Sequence, residues 1–160
     1  EQKKVAEIVG IGAVKYNDLK QNPKTDVIFD WDKILALKGN SGPYLQYTYA
    51  RCKSVLNKKG DLVIVPILPN YQPNSDELAI ARTICHFEEV VREAAEGFSP
   101  NLIANFLYDL SQKYNNFYNQ HRILGDGGQK EQFRLLLTAA TAQVLKNGLS
   151  LLGIKVLEKM

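Results

Sequence analysis

The sequence predicts an all-α protein, a helical bundle of four to five helices joined by short links. Three observations carry that prediction. Apolar residues recur at three- and four-residue intervals through most of the chain. Breaks rich in proline, glycine and asparagine separate those windows. The strand-like run Leu62-Val63-Ile64-Val65 has no partner run to pair with.

The first helix is expected over residues 3–20, where Val5, Ile8, Val9, Gly12, Tyr16 and Leu19 share a face. Gly10 and Gly12 weaken it by about 1 kcal/mol each relative to alanine. Both glycines read as sites of close helix packing. Gly10-Ile11-Gly12 follows no strand and lacks the rest of a phosphate-binding signature. Asn22-Pro23 ends the helix. Val27-Ile28-Phe29 leans to extended structure. Asp30 then caps a brief helix through Trp31, Ile34, Leu35 and Leu37.

The next helix is the one around which the rest is arranged. Ser41 or Gly42 serves as its N-cap, Pro43 suits its first turn, and Gly60 stops it. At roughly 100° per residue, two stripes separate. Leu45, Tyr49, Cys52 and Leu56 form an apolar stripe about 60° wide. Tyr44, Tyr47 and Arg51 form a second stripe, roughly 130° away, which Ser54 and Lys58 extend. Burying the first stripe turns the second to the edge or outward. Two phenols and a guanidinium on one such face make a stacking surface for nucleobases. The competing reading is that both tyrosines cap the core while Arg51 pairs with a carboxylate. The pattern by itself favours that second reading.

Residues 61–74, with Pro66, Pro69 and Pro73, read as an irregular excursion. Ser75-Asp76-Glu77 starts a helix with acidic residues in its first turn. Ile80, Ile84, Phe87 and Val91 form its stripe, and Gly97 ends it. Ser99-Pro100 supplies a cap and a first-turn proline for the following helix, which carries Ile103, Phe106, Leu107, Leu110, Tyr114, Phe117 and Tyr118. Gly125-Asp126-Gly127-Gly128 is a flexible connection. The final helix is expected to bury Phe133, Leu136, Leu137, Ala140, Val144 and Leu145 and to stop at Gly153. Ile154 to Met160 form a tail.

The chain has 160 residues, 45% hydrophobic and 23% charged, which is the balance of an ordinary globular domain with a real core. No apolar run approaches the roughly 20 residues of a membrane span, and no secretory signal opens the chain. A cytoplasmic protein without a membrane partner is expected. The chain lacks a starting methionine and opens inside a helical pattern, so a segment of a longer protein is expected. The net charge of +3 is unevenly spread. Residues 1–60 carry +5, residues 61–98 carry −5 and residues 99–160 carry +3. Two basic ends that flank an acidic block are suited to local phosphate contacts.

No catalytic constellation emerges from the residues. Cys85 and His86 are adjacent on a helix and point roughly 100° apart, wrong for a nucleophile and its base. Cys52 and Cys85 both read as buried, reduced thiols. The spacing of Cys52, Cys85, His86 and His121 fits no metal site. Glu88, Glu89, Glu93 and Glu96 read as a solvated face. Thr138 and Thr141 read as hydroxyls bonded back to their own helix. The chain thus reads as a module that binds or joins. A helical protein-interaction module without RNA function is the alternative to nucleic-acid binding, and thiol catalysis at an exposed Cys85 is a third reading.

Gly39-Asn40-Ser41-Gly42-Pro43-Tyr44-Leu45-Gln46-Tyr47, followed by Ala50-Arg51, resembles the GNTGPYLQYAHAR signature of the arginyl-tRNA synthetase family. Phe106 to Leu110, Asn116-Phe117-Tyr118 and Arg122-Ile123-Leu124 are similar to that family's C-terminal domain. Gly148 to Ile154 and the close Leu157-Glu158-Lys159-Met160 are similar to it as well. So is Val5 to Leu19, and the likeness covers nearly the whole chain.

The resemblance implies the helical anticodon-binding domain of a class I aminoacyl-tRNA synthetase. Residues 1–40 would be the end of the catalytic region with connecting helices, and 41–160 the anticodon-binding domain. Tyr44, Tyr47, Arg51, Tyr118 and Met160 match the family's anticodon-contacting positions. The HIGH and KMSKS signatures are absent from this chain, so the resemblance implies no catalytic residues, no metal site and no cofactor here. ATP and Mg2+ are expected for the full enzyme. The implied partners are tRNA(Arg) and an upstream catalytic domain of the same chain, with a monomer expected. Thr48-Tyr49 stands where the signature has Ala-His, and Phe106 where a tyrosine is frequent. Tyr49 lies on the inner stripe, so its effect is expected on packing more than on recognition.

Overall fold

The computed structural model describes residues 2–26, 29–60 and 71–160. Among these residues it is all-helical. α1 spans Gln2–Leu19, α2 Trp31–Ile34, α3 Gly42–Lys59, α4 Ser75–Cys85, α5 Phe87–Glu96, α6 Pro100–Gln120 and α7 Gly128–Leu151. Val27, Ile28 and the strand-like run at 62–65 lie outside the described residues, as does most of the expected excursion at 61–74. No described helix is long and apolar enough to cross a membrane.

Among the described residues seven helices form where a bundle of four to five was expected, because the brief helix expected after Asp30 stands as its own single turn and one longer helix divides. Asp30 caps a single turn, its carboxylate accepting from the backbone of Asp32 and Lys33, and this turn is α2. The helix expected to run from Ser75 to Gly97 divides at His86. Just before the break, the Thr83 hydroxyl donates to the Ala79 carbonyl at 2.9 Å, a back-bond that bends helices. His86 N–H then reaches the Thr83 carbonyl three residues back.

Cap chemistry follows side-chain reach. The Ser41 hydroxyl accepts from Tyr44 N–H at 3.3 Å and donates to the Ala36 carbonyl, so it both starts α3 and ties it to the turn after α2. Asn74 and Glu77 form a reciprocal capping box on α4. Ser99 does not cap α6 as expected. Its hydroxyl donates to Gly97 O at 2.9 Å, and only Pro100 fills the predicted role.

α3 lies between α1 and α7, and α6 packs against α4, α5 and α7. Leu45, Cys52, Leu107, Leu110, Tyr114, Phe117, Leu145 and Leu149 are fully buried and define the core. Backbone approach is closest where α1 meets α3. A Cβ on Gly42 would stand 2.7 Å from Gly12 O and 3.1 Å from Ala13 Cα. Gly12 thus serves packing as expected. Gly10 does not, since a Cβ there would meet nothing within 4 Å.

α7 buries Leu137, Val144 and Leu145 as expected, but its inward face is wider and more polar than the expected one. Glu131, Arg134, Leu135, Thr138, Thr141, Leu145 and Leu149 are buried, while Phe133, Leu136 and Ala140 are half-buried. The polar members of this seam are mostly satisfied internally. Arg134 Nε donates to Glu77 Oε1 at 2.6 Å, and Thr138 donates to Arg134 O at 2.8 Å. Burial raises the Glu77 carboxyl, but hydrogen bonds from Arg134, the Asn74 N–H and the Tyr71 hydroxyl outweigh it and hold the group below its ordinary range.

The tail is docked on the bundle. Ile154 and Leu152 are buried, and Ile154 N–H donates to Leu149 O at 2.8 Å. Gln46 Nε2 donates to Lys155 O at 2.7 Å, and Lys15 Nζ to Gly153 O at 2.8 Å. Lys53 pairs with Glu158 at 3.3 Å. These contacts carry the chain from the end of α7 to the outer face of α3.

Candidate functional site

The two stripes of α3 separate as its periodicity requires. Leu45, Tyr49 and Cys52 are buried, and burial pushes the Cys52 thiol up to about 12, far from a reactive thiolate. On the opposite side Tyr47 is 38% exposed, and Arg51 and Tyr44 are half-buried.

Arg51 is the centre of the exposed stripe. Its Cζ stands 4.9 Å from the Tyr47 ring centroid and 4.7 Å from that of Tyr118 on α6. Both distances fall within the range of cation–π attraction. Nη1 donates to Asn115 Oδ1 at 2.6 Å, and Nη2 to the Tyr47 hydroxyl at 3.3 Å. The carboxylate partner of Arg51 that the sequence offered as one reading is thus replaced by a neutral amide, and among the described residues the guanidinium has no direct ion pair. Asn115 is itself held, its Nδ2 donating to Thr48 Oγ1 at 2.8 Å.

Tyr47, Arg51 and Tyr118 line one side of a pocket of about 460 Å³. Ala50 and Ser54 continue that wall, and Glu158, Lys159 and Met160 close the other side. The volume lies within the roughly 300–1,000 Å³ common for small-ligand sites. Met160 is brought here by the docked tail and stays 44% exposed. Tyr118 is 37% exposed, with its ring 6.5 Å from the core ring of Tyr114. Four of the five residues singled out from the sequence therefore meet in one place. Tyr44 stands apart. Its ring packs edge-on to Tyr108 at 5.8 Å and does not line the pocket.

Sequence reasoning missed Asn115 and Thr48. Asn115 follows Tyr114 on a face shared with Ser111 and Gln112, so nothing singled it out and nothing in the spacing linked it to Arg51. Cys85 corrects a second expectation. It is exposed, because the inward face of α4 runs through Glu77, Ile80 and Thr83 and leaves Cys85 about 200° round from Thr83. Its neighbour His86 turns its Nδ1 to Glu89 at 3.3 Å. Among the described residues Cys85 has no hydrogen-bond or ionic partner that would activate it.

The bundle holds a cation beside two phenols over an open pocket, an arrangement of the kind used by helical binding modules. The profile of the DALR anticodon binding domain matches residues 45–160, and the chain belongs to that family.

The arginine–tRNA ligase of Fusobacterium nucleatum is 46% identical over 163 residues, which cover all of this chain and 28% of that protein. The ligase of a Picosynechococcus species is 44% identical over 159 residues, covering 98% of this chain and 27% of its own length. Among solved structures, arginyl-tRNA synthetase of Thermus thermophilus superposes with a TM-score of 0.93 at 34% identity, over all of this chain and 28% of that one. The Plasmodium falciparum arginyl-tRNA synthetase gives 0.83 at 28% identity, over 98% of this chain and 28% of that one. The chain thus spans a little over a quarter of the length of these relatives.

Proposed function

We propose that this chain is the anticodon-reading part of an arginine–tRNA ligase. In this reading Tyr47, Arg51, Tyr118 and Met160 receive unstacked bases of the anticodon loop of tRNA(Arg), and Tyr44 supports the same face of α3. The observation that carries the reading is the placement of Arg51 within cation–π distance of two part-exposed tyrosines on the wall of an open pocket. Lys159 in the pocket lining adds positive charge for a nearby phosphate.

Residues 41–160 would form the RNA-binding unit, and residues 1–40 the junction with a catalytic domain that uses ATP and Mg2+. An apolar surface supports that junction. Ile11 is 51% exposed, Phe29 50%, Trp31 58%, Leu35 46% and Leu37 56%, all within α1 and the segment around α2. Large exposed apolar side chains gathered this way are characteristic of an interface. The whole enzyme would act in the cytoplasm, as a monomer.

The test is binding of the 160-residue chain to a hairpin RNA that carries the anticodon stem and loop of tRNA(Arg), followed by fluorescence anisotropy over a range of salt. Tyr47→Ala is expected to weaken binding by about 1–3 kcal/mol while the circular-dichroism melt hardly moves. A variant that unfolds, yet whose folded fraction binds as the parent does, overturns the stacking role.

A further inference from the structure

Thr48 is fully buried, and Asn115 is nearly so. The Thr48 hydroxyl has one proton. Its Oγ1 lies 2.8 Å from the Tyr44 carbonyl, a group that only accepts, so the proton is committed there. Toward Asn115 the same oxygen offers only a lone pair. Asn115 must therefore turn its NH2 to Thr48, at 2.8 Å. Its carbonyl oxygen is thereby forced to the other side, 2.6 Å from Arg51 Nη1. The reversed amide would set its NH2 against a guanidinium N–H, donor against donor, and would leave the Thr48 oxygen facing an acceptor. One backbone carbonyl of α3 thus fixes the polarity of a three-step chain that ends on the cation of the pocket.

We propose that Thr48 is a positioning residue for ligand binding: acting through Asn115, it holds the Arg51 guanidinium beside Tyr47 and Tyr118 with its remaining donors turned to the pocket. The proposal rests on the reading of that pocket as a base-stacking site. Thr48 stands where the resembling signature has alanine, which lacks the hydroxyl on which this chain of hydrogen bonds depends. A guanidinium anchored before the ligand arrives loses less rotational freedom on binding. Without the hydroxyl, the Asn115 NH2 loses its acceptor in a place water does not reach, and the amide orientation is no longer dictated.

Two measurements on the 160-residue chain test this. The first is the set of Arg51 side-chain nitrogen signals by NMR in the RNA-free chain, where a held guanidinium gives separate Nη resonances and a free one gives averaged resonances. The second is affinity for the tRNA(Arg) anticodon hairpin. Thr48→Ser restores the hydroxyl and is expected to match the parent in both. Thr48→Val keeps the shape without the hydroxyl, and Thr48→Ala guards against misfit of the valine. Both are expected to merge the Nη signals and to bind about five- to tenfold more weakly with an unchanged helical spectrum. Separate Nη signals in both Thr48→Val and Thr48→Ala overturn the proposal, as do merged signals with unchanged affinity. If the parent chain binds no hairpin RNA at any salt, the base-stacking reading falls, and the Nη signals of the free chain still decide whether Thr48 holds Arg51.

Discussion

Arg51 is valuable for its shape as much as for its charge. A planar cation can lie beside an aromatic ring and a base and donate hydrogen bonds in its own plane, which an ammonium group cannot. Arg51→Lys keeps the charge and loses the plane. It is expected to lower affinity for the anticodon hairpin by about 1–3 kcal/mol, while the slope of log affinity against log salt stays the same. An unchanged slope with little loss of affinity would make Arg51 a phosphate contact, since lysine keeps the charge that neutralises a phosphate. The stripe containing Arg51 was legible in the sequence because helical geometry alone places Tyr47 and Arg51 one turn apart. Its partner Asn115 was not legible, because 64 residues separate the two and only the packing of α3 against α6 joins them.

At the scale of elements, α4 and α7 are joined by a buried ion pair. Glu77 Oε1 and Arg134 Nε are 2.6 Å apart, with the Glu77 side chain fully buried and that of Arg134 5% exposed. The sequence reading gave Glu77 only a first-turn role on α4. A carboxylate in the first turn of a helix has that ordinary explanation, and nothing local reveals an arginine 57 positions away. Glu77→Ala is expected to cost about 3–5 kcal/mol in a urea melt, because it strands Arg134 without a counter-charge. The double variant Glu77→Ala, Arg134→Met should recover a large part of that loss. Equal losses in the single and double variants would show that packing volume, not the unpaired charge, sets the cost. The same polar seam explains why only Leu137, Val144 and Leu145 of the expected inward face of α7 are buried. Hydrophobic periodicity seeks apolar residues, and here Glu131, Arg134, Thr138 and Thr141 occupy buried turns.

At the scale of the molecule, acid should loosen the fold through Glu131. Hydrogen bonds from Lys59, Gly127 N–H and Gly125 N–H, with the nearby lysine charge, lower this carboxyl from 4.5 to about 2. The bonds tie the end of α3 and the 125–127 turn to the start of α7. The folded pKa lies below the unfolded one, so the unfolded chain binds the proton more readily. The contribution is fully present above about pH 4.5 and is lost as pH falls toward about 2. Thermal melts across that window should show a steep fall in Tm for the parent chain and a shallower fall for Glu131→Gln. Equal slopes would place the acid sensitivity elsewhere, with Glu77 the next carboxylate to test.

Local chemistry determined much of this protein from the sequence by itself. Helical periodicity, the capping residues Ser41 and Asp30, and Pro43 and Pro100 in first turns place most helix starts, and the two faces of α3 follow from its periodicity. These features depend on residues within a few positions of each other, and a linear string records such relations directly. Tertiary structure alone decided the polar seam of α7, the link from Thr48 through Asn115 to Arg51, and the return of Met160 to the face of α3. Each joins groups far apart in sequence whose pairing is favourable only once packing has excluded water, so its energy lies in the folded arrangement and leaves no local trace.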